Sequence, residues 1–465
     1  MHREQARSRE TLAGNHLLLG LLLLTQCLVV LLDTSLALAL PGIEESLGFA
    51  PHDLQWVLTT YMIGFGGLLI LGGRTADLFG RRRILVAGLT VFALASLLCA
   101  LAWSPLFLSV ARAAQGGGAA FASAAALSIV TVTFTGAARR VALSAWGIVS
   151  GASASVGLVL GGIAADLLGW RWVFGLIFPI AASIAVLSLR FVPSSARACS
   201  RRPLDVPGAV LCASGIAALV LGASAVQDTG AGGLRTWGGL LSGGVLLCVF
   251  LLWERHAADP LVPLWAIGRR LTGGANLASG TLGAVLLGVF LGMSLYLQEG
   301  RSLSPVVSGL QMLPTGLVSV VAGLAVGRMV GRVGPRPVIL AGLLVLATGS
   351  LALAVVAAAE SLIPFLAASL LFGLGVSMAE VSSLIGATEE FGHGELAGLA
   401  SGLWSTAFQL CGAIGVAVVV TLAAGSGAGS EADAVDGFEQ AAAVGAAMAL
   451  AGALLAAPLL RQRAP

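Results

Sequence analysis

Runs of about twenty apolar residues, separated by short charged or Gly/Pro-rich breaks, recur along the whole chain. A helix of that length rises about 30 Å at roughly 1.5 Å per residue, the thickness of a bilayer's hydrocarbon core. Hydrophobic residues make up 57% of the 465 and charged residues 10%. A soluble domain carries about 25% charge, so a water-facing surface cannot be built from this inventory. A soluble globular enzyme, a disordered chain and a fibrous one are thereby excluded. The pattern predicts an all-α integral membrane protein.

Fourteen spans are predicted, at 17–40, 54–73, 84–104, 105–130, 141–166, 172–192 and 205–226, then at 236–253, 273–297, 307–327, 337–358, 361–386, 397–423 and 440–460. The first is too long for a signal peptide and lacks a small-residue cleavage pattern, so it is expected to stay in the mature protein. Every basic residue is arginine. With a cytoplasmic N-terminus, 21 of the 25 fall inside, Arg171, Arg235 and Arg301 fall outside, and Arg112 lies within a span. The positive-inside rule then predicts both termini in the cytoplasm. Glu431, Asp433, Asp436 and Glu439 are expected to form an acidic outer loop. The six cysteines include no Cys-x-x-Cys pair and no histidine at ligand spacing, which predicts neither disulfides nor a metal site.

The two ends of the chain echo each other. Gly73-Arg74-Thr75-Ala76-Asp77-Leu78-Phe79-Gly80-Arg81 after span 2 pairs with Gly327-Arg328-Met329-Val330-Gly331-Arg332-Val333-Gly334 after span 10, an offset of 327−73 = 254. Gly116 in span 4 pairs with Gly373 in span 12, an offset of 373−116 = 257. The expected organisation is a cytoplasmic tail at 1–16, a six-helix bundle at 17–192, a linker with two extra spans at 193–270, a second six-helix bundle at 271–460 and a cytoplasmic tail at 461–465. Repeated halves of this kind are the plan of secondary transporters, whose sites lie at the repeat interface.

These features resemble the major facilitator superfamily, and within it the fourteen-span drug:proton antiporters of bacteria. The Gly73–Arg83 loop carries the superfamily's Gly, Asp, Gly and basic pattern. Leu108, Arg112, Gln115, Gly116, Gly118, Ala119 and Ala120 match its proton-coupling motif. Leu32-Asp33-Thr34 with Ala39-Leu40-Pro41 resembles the acidic signature of the fourteen-span group, and Trp56, Tyr61 and Trp170-Arg171-Trp172-Val173-Phe174 fit it as well. One departure is the span-5 kink motif, which reads Gly157-Leu158-Val159-Leu160-Gly161-Gly162 without its proline. Another is Gly331, which stands where the first loop has Asp77. The resemblance implies two pseudo-symmetric bundles that rock about a central cavity lined by spans 1 and 4. It also implies gating by Gly73, Asp77, Gly80, Arg81, Gly157, Gly161 and Gly162.

Asp33 is the only acidic residue well inside the first bundle, where a carboxylate costs at least about 2.5 kcal/mol. It lies eight residues before Pro41, and Arg112 lies seven after Pro105, so the two share a depth. Proton coupling through Asp33, tuned by Arg112, is the functional reading. The alternatives are that Asp33 wets the outer vestibule or bonds locally with Thr34 and Ser35, and that Arg112 satisfies backbone carbonyls near Gly116. Glu380 falls opposite Ser123 by the 257-residue offset, so it either binds a cationic substrate or second proton, or lies at the inner interface. Gln26, Tyr61, Gln115, Trp404 and Gln409 complete the candidate substrate contacts.

None of the five histidines lies well inside a span, and no Gly-x-x-x-x-Gly-Lys loop occurs. Neither an enzyme nor ATP hydrolysis is expected. The expected function is proton-driven export of an amphipathic or cationic small molecule from a bacterial cytoplasmic membrane, by a monomer with no cofactor beyond the proton gradient and no nucleic-acid partner. An uptake symporter and a non-transporting sensor are the alternatives.

Overall fold

A computed structural model of the chain describes residues 2–36, 39–49, 54, 56–193, 205–225, 233–257, 260–261, 265, 268–359, 362–389, 397–425 and 431–460. Cys199, the arginines at 197, 201 and 202, His52, His393 and the 461–465 tail lie outside these residues. Among the described residues the secondary structure is helical, with no strand.

The first bundle comprises α1 (His2–Ser35), α3 (Trp56–Phe79), α4 (Arg81–Ala100), α5 (Pro105–Thr133), α6 (Gly136–Leu168) and the pair α7 (Trp170–Gly175) and α8 (Ile177–Phe191); a short α2 (Leu40–Leu47) follows α1. The hairpin α9 (Val206–Ser224) and α10 (Leu234–Glu254) comes next. The second bundle comprises α11 (Arg270–Leu295), α12 (Pro305–Val333), α13 (Pro335–Val356), α14 (Leu362–Glu389), α15 (Ala397–Gly425) and α16 (Glu431–Leu460). Eleven of the described helices are long and apolar enough to cross a membrane, and Val206–Gly222 forms a shorter apolar run. α6 and α15, of 33 and 29 residues, overlie the predicted spans 141–166 and 397–423. The chain is a multi-pass membrane protein.

Three boundaries differ from the sequence expectation. The apolar span carried by α1 is His16–Ser35, which starts where expected but ends short of residue 40, and α2 follows it. The span predicted at 172–192 is built from two helices that meet at Leu176. Residues 431–439 form the first turns of α16 rather than an outer loop. Acidic side chains are favoured at that end of a helix by its exposed N–H groups.

The repeat seen in the sequence is a repeat of packing. Gly80 and Gly334, 254 residues apart, both have positive φ (101° and 82°) and both start the next helix, α4 and α13. That conformation strains any residue with a Cβ. Gly88 lies against the backbone of Ala122, and Gly342 lies against that of Ala379, so α4–α5 and α13–α14 cross in the same way. Two of the three arginines that the charge pattern predicts outside gain a local reason from the same symmetry. Arg171 donates to the carbonyl of Ala102 at 3.0 Å, just past α4. Arg301 donates to that of Ala357 at 3.3 Å, just past α13, a position 357−102 = 255 residues on. Cations are favoured near helix C-termini.

The bundles meet through two pseudo-equivalent pairs, α6 with α12 and α3 with α15. Gly147 faces Val381 and Glu380, Gly151 faces Ser319, Gly323 faces Ile148 and Gly327 faces Ser144. Gly402 lies against the backbone of Leu69 and Ile70. All these approaches lie in the halves of the helices nearest the arginine-rich loops, so that end of the seam is closed. The α9–α10 hairpin covers the α3–α15 pair, with Cys212, Ile216 and Val220 packed among Ile70 and Leu403.

Candidate functional site

Five elements converge on Arg112, which is fully buried. α5 carries it because Ser104 caps the helix, accepting from Phe107 N at 3.3 Å, with Pro105 in the first turn. Its Nε donates to the carbonyl of Val57 on α3 at 2.9 Å, and Nη1 donates to Gln115 Oε1 at 2.7 Å. Gln115 Nε2 in turn donates to Ser96 Oγ on α4 at 2.7 Å. The guanidinium lies 4.3 Å from the Tyr61 ring centre and 5.9 Å from that of Phe174 on α7, distances at which a ring quadrupole attracts a cation. Nη2 has no hydrogen-bond partner among the described residues. It faces Asp33 Oδ1 at 3.8 Å.

That distance is an ion pair without a formed hydrogen bond. The two partners also differ in access: the Arg112 side chain is 0% exposed and that of Asp33 is 33% exposed. The carboxylate is thus partly open to its surroundings while the cation is sealed. Thr34 and Ser35 do not bond Asp33. Thr34 donates to the carbonyls of Val30 and Leu31, and Ser35 to those of Leu31 and Gly157. α1 is seated on α6 at this level: a Cβ at Gly157 would stand 2.7 Å from Leu31 O, and one at Gly161 would stand 2.5 Å from Ser35 Cα. The span-5 glycines thus hold the turn that bears Asp33. Gly162 lies in the same helix.

The other candidates are spread over both bundles and the seam between them. Gln26 joins three helices, donating to Ser150 Oγ at 3.1 Å and accepting from Ser123 Oγ at 2.8 Å. Tyr61 forms a buried wall under Arg112, and its hydroxyl donates to Val29 O at 3.4 Å. Trp404 is buried; its indole donates to Ser383 Oγ at 3.0 Å and stacks on Phe408. Gln409 stands at the α3–α15 seam beside Gly66. Glu380 is buried where α14 meets α6. In the last turn of α3, Asp77 accepts from Arg81 at 2.8 Å and from Ser128 at 3.3 Å, and Gly73 one turn earlier lies across from Gly402.

A bond that does cross between bundles at this end was not foreseen. Arg139 donates to the carbonyl of Thr388 at 2.6 Å, at the C-terminal end of α14. Its arginine was read only as a topology signal. The Ser96 bond to Gln115 and the Phe174 contact to Arg112 were also missed, although Ser96 is a polar residue within an apolar span and Phe174 ends the Trp170–Phe174 segment.

A family profile described as Major Facilitator Superfamily matches residues 22–416. The chain belongs to the major facilitator superfamily. It is 38% identical over 423 residues to a puromycin resistance protein of Streptomyces alboniger, covering 89% of this chain and 83% of that one. It is 36% identical to a cephamycin export protein of Amycolatopsis lactamdurans (87% and 84% covered), and 32% identical to a lincomycin resistance protein of Streptomyces lincolnensis (99% and 95%). A crystal structure of the human organic anion transporter MFSD10 superposes with a TM-score of 0.67 at 18% identity, over 96% of this chain and 99% of that one, which shows a shared fold. A member of this superfamily is a transporter and not an enzyme.

Proposed function

We propose that this facilitator is a proton-driven exporter of amphipathic or cationic small molecules, working by alternating access. It would sit in a bacterial cytoplasmic membrane with fourteen spans, arranged as two bundles and an extra hairpin. Both termini would be inside, the working unit would be a monomer, and the proton gradient would be the energy source. The observation that carries this reading is the half-open Asp33 carboxylate against the sealed Arg112 guanidinium. A carboxylate reachable from one end of the seam while the other end is closed can take a proton from that side. Its pairing with Arg112 weakens when it does, and the loss of that ion pair favours the opposite conformation. The curated relatives, named for antibiotic resistance or export, supply the direction and the substrate class.

Net flux in cells expressing the chain tests the direction. With puromycin and lincomycin as trial compounds, we expect lower accumulation than in control cells, and recovery to the control level when a protonophore collapses the gradient. Higher accumulation would make the chain an uptake symporter. No change with any trial compound would favour a sensor.

A further inference from the structure

We propose that Glu380 is a second proton-binding site, one that must be neutral for the arginine-rich end of the seam to close. This rests on the alternating-access reading and adds a titrating group to its inner gate. Glu380 is 5% exposed, nine residues inside the end of α14. Its carboxyl lies across the bundle boundary from Gly147: a Cβ added there would stand 3.7 Å from Cγ and Cδ of Glu380. The carboxyl therefore packs directly on α6 in the closed seam, with Val381 beside it as the tighter neighbour of Gly147.

No cation shares that space. The groups brought to this stretch of α14 are Gly147 of α6, Ser319 and Gly323 of α12, Gly342 of α13 and Trp404 of α15, all uncharged. The other charged residues of the helices packed on α14 stand at helix ends: Arg139 and Arg140 at one end of α6 and Asp166 at the far end, Arg328 and Arg332 on α12, Arg270 on α11, Arg336 on α13 and Glu389 on α14 itself; α15 has none. Among the described residues Glu380 forms no ion pair. At 5% exposure and with no cation beside it, the ionised carboxyl is disfavoured, so the closed seam favours the acid form. When α6 and α12 part, Glu380 is bared to the arginine-rich side and releases its proton there; closure takes one back from the same side. Glu380 thereby makes the gate respond to internal pH without adding to the protons carried across.

The test is the distance between spin labels on Ala138→Cys and Val333→Cys, which flank this gate on exposed positions of α6 and α12. The full chain, freed of its native cysteines, is placed in lipid nanodiscs with no substrate and no gradient. From acid to alkaline pH the long-distance population should grow several-fold. Glu380→Gln should stay closed throughout, Glu380→Asp should keep the shift, and the shift should persist in an Asp33→Asn background. A wild-type distance that ignores pH overturns the proposal, as does a shift that survives in Glu380→Gln or disappears in Asp33→Asn. Because the readout needs no transport, a negative result here leaves the Asp33 reading standing, and a failure of drug-driven proton movement leaves this one standing.

Discussion

Arg112→Gln should lower proton-driven export about a hundredfold while the protein still folds. The guanidinium makes two buried hydrogen bonds, to Val57 O and Gln115, and faces Asp33 with its remaining nitrogen. Removing one partner of a buried charged pair costs about 3–5 kcal/mol. Asp33 is one-third exposed, which places the effect at the lower end, and each 1.4 kcal/mol or so is a factor of about ten. Arg112→Lys should recover little, because a compact ammonium cannot span Val57 O, Gln115 and Asp33 in one plane as the guanidinium fork does. Export into everted vesicles at matched protein levels measures both. Flux close to wild type in Arg112→Gln would remove the arginine from the mechanism.

A second large effect concerns two neighbouring glycines. Gly116→Ala should destabilise the purified protein severely, and Gly117→Ala should barely do so. A Cβ at Gly116 would stand 2.2 Å from Tyr61 O and 2.9 Å from Phe65 N, backbone atoms of α3 that cannot swing aside. Among the described residues, the one neighbour within 4 Å of a Cβ at Gly117 is Leu68 Cδ1 at 3.2 Å, the tip of a flexible side chain. Overpacking typically costs about 1–3 kcal/mol and more where backbones must part. Parting α3 from α5 also pulls Val57 O away from Arg112. Thermal unfolding in detergent should show a much lower midpoint for Gly116→Ala and a near-native one for Gly117→Ala. Equal shifts would mean that the α3–α5 contact yields more easily than its geometry implies.

The fold was legible because lipid imposes a simple rule: apolar runs of a fixed length become helices. The repeat was legible for a related reason, since the same backbone approaches need glycine in both halves, as Gly80 and Gly334 or Gly88 and Gly342 show. Asp33 and Arg112 stood out because ionisable groups at that depth are rare. What stayed hidden depends on how helices rotate against one another. Nothing in the sequence says that Arg112 Nε would find Val57 O, because every residue offers a carbonyl. Arg139 was hidden by context, as arginines at inner helix ends are expected for topology alone. Residues 431–439 were misread as loop because acidic residues suit both an outer segment and a helix N-terminus.

In the proposed mechanism Asp33 takes up and hands over the proton that drives the switch, and drug-dependent proton movement in proteoliposomes decides whether it does. With a pH-sensitive dye inside, adding substrate should move protons through the wild-type protein, and Asp33→Asn, which keeps the shape but cannot ionise, should abolish that signal. Proton exchange for drug at the normal rate in Asp33→Asn would contradict the account.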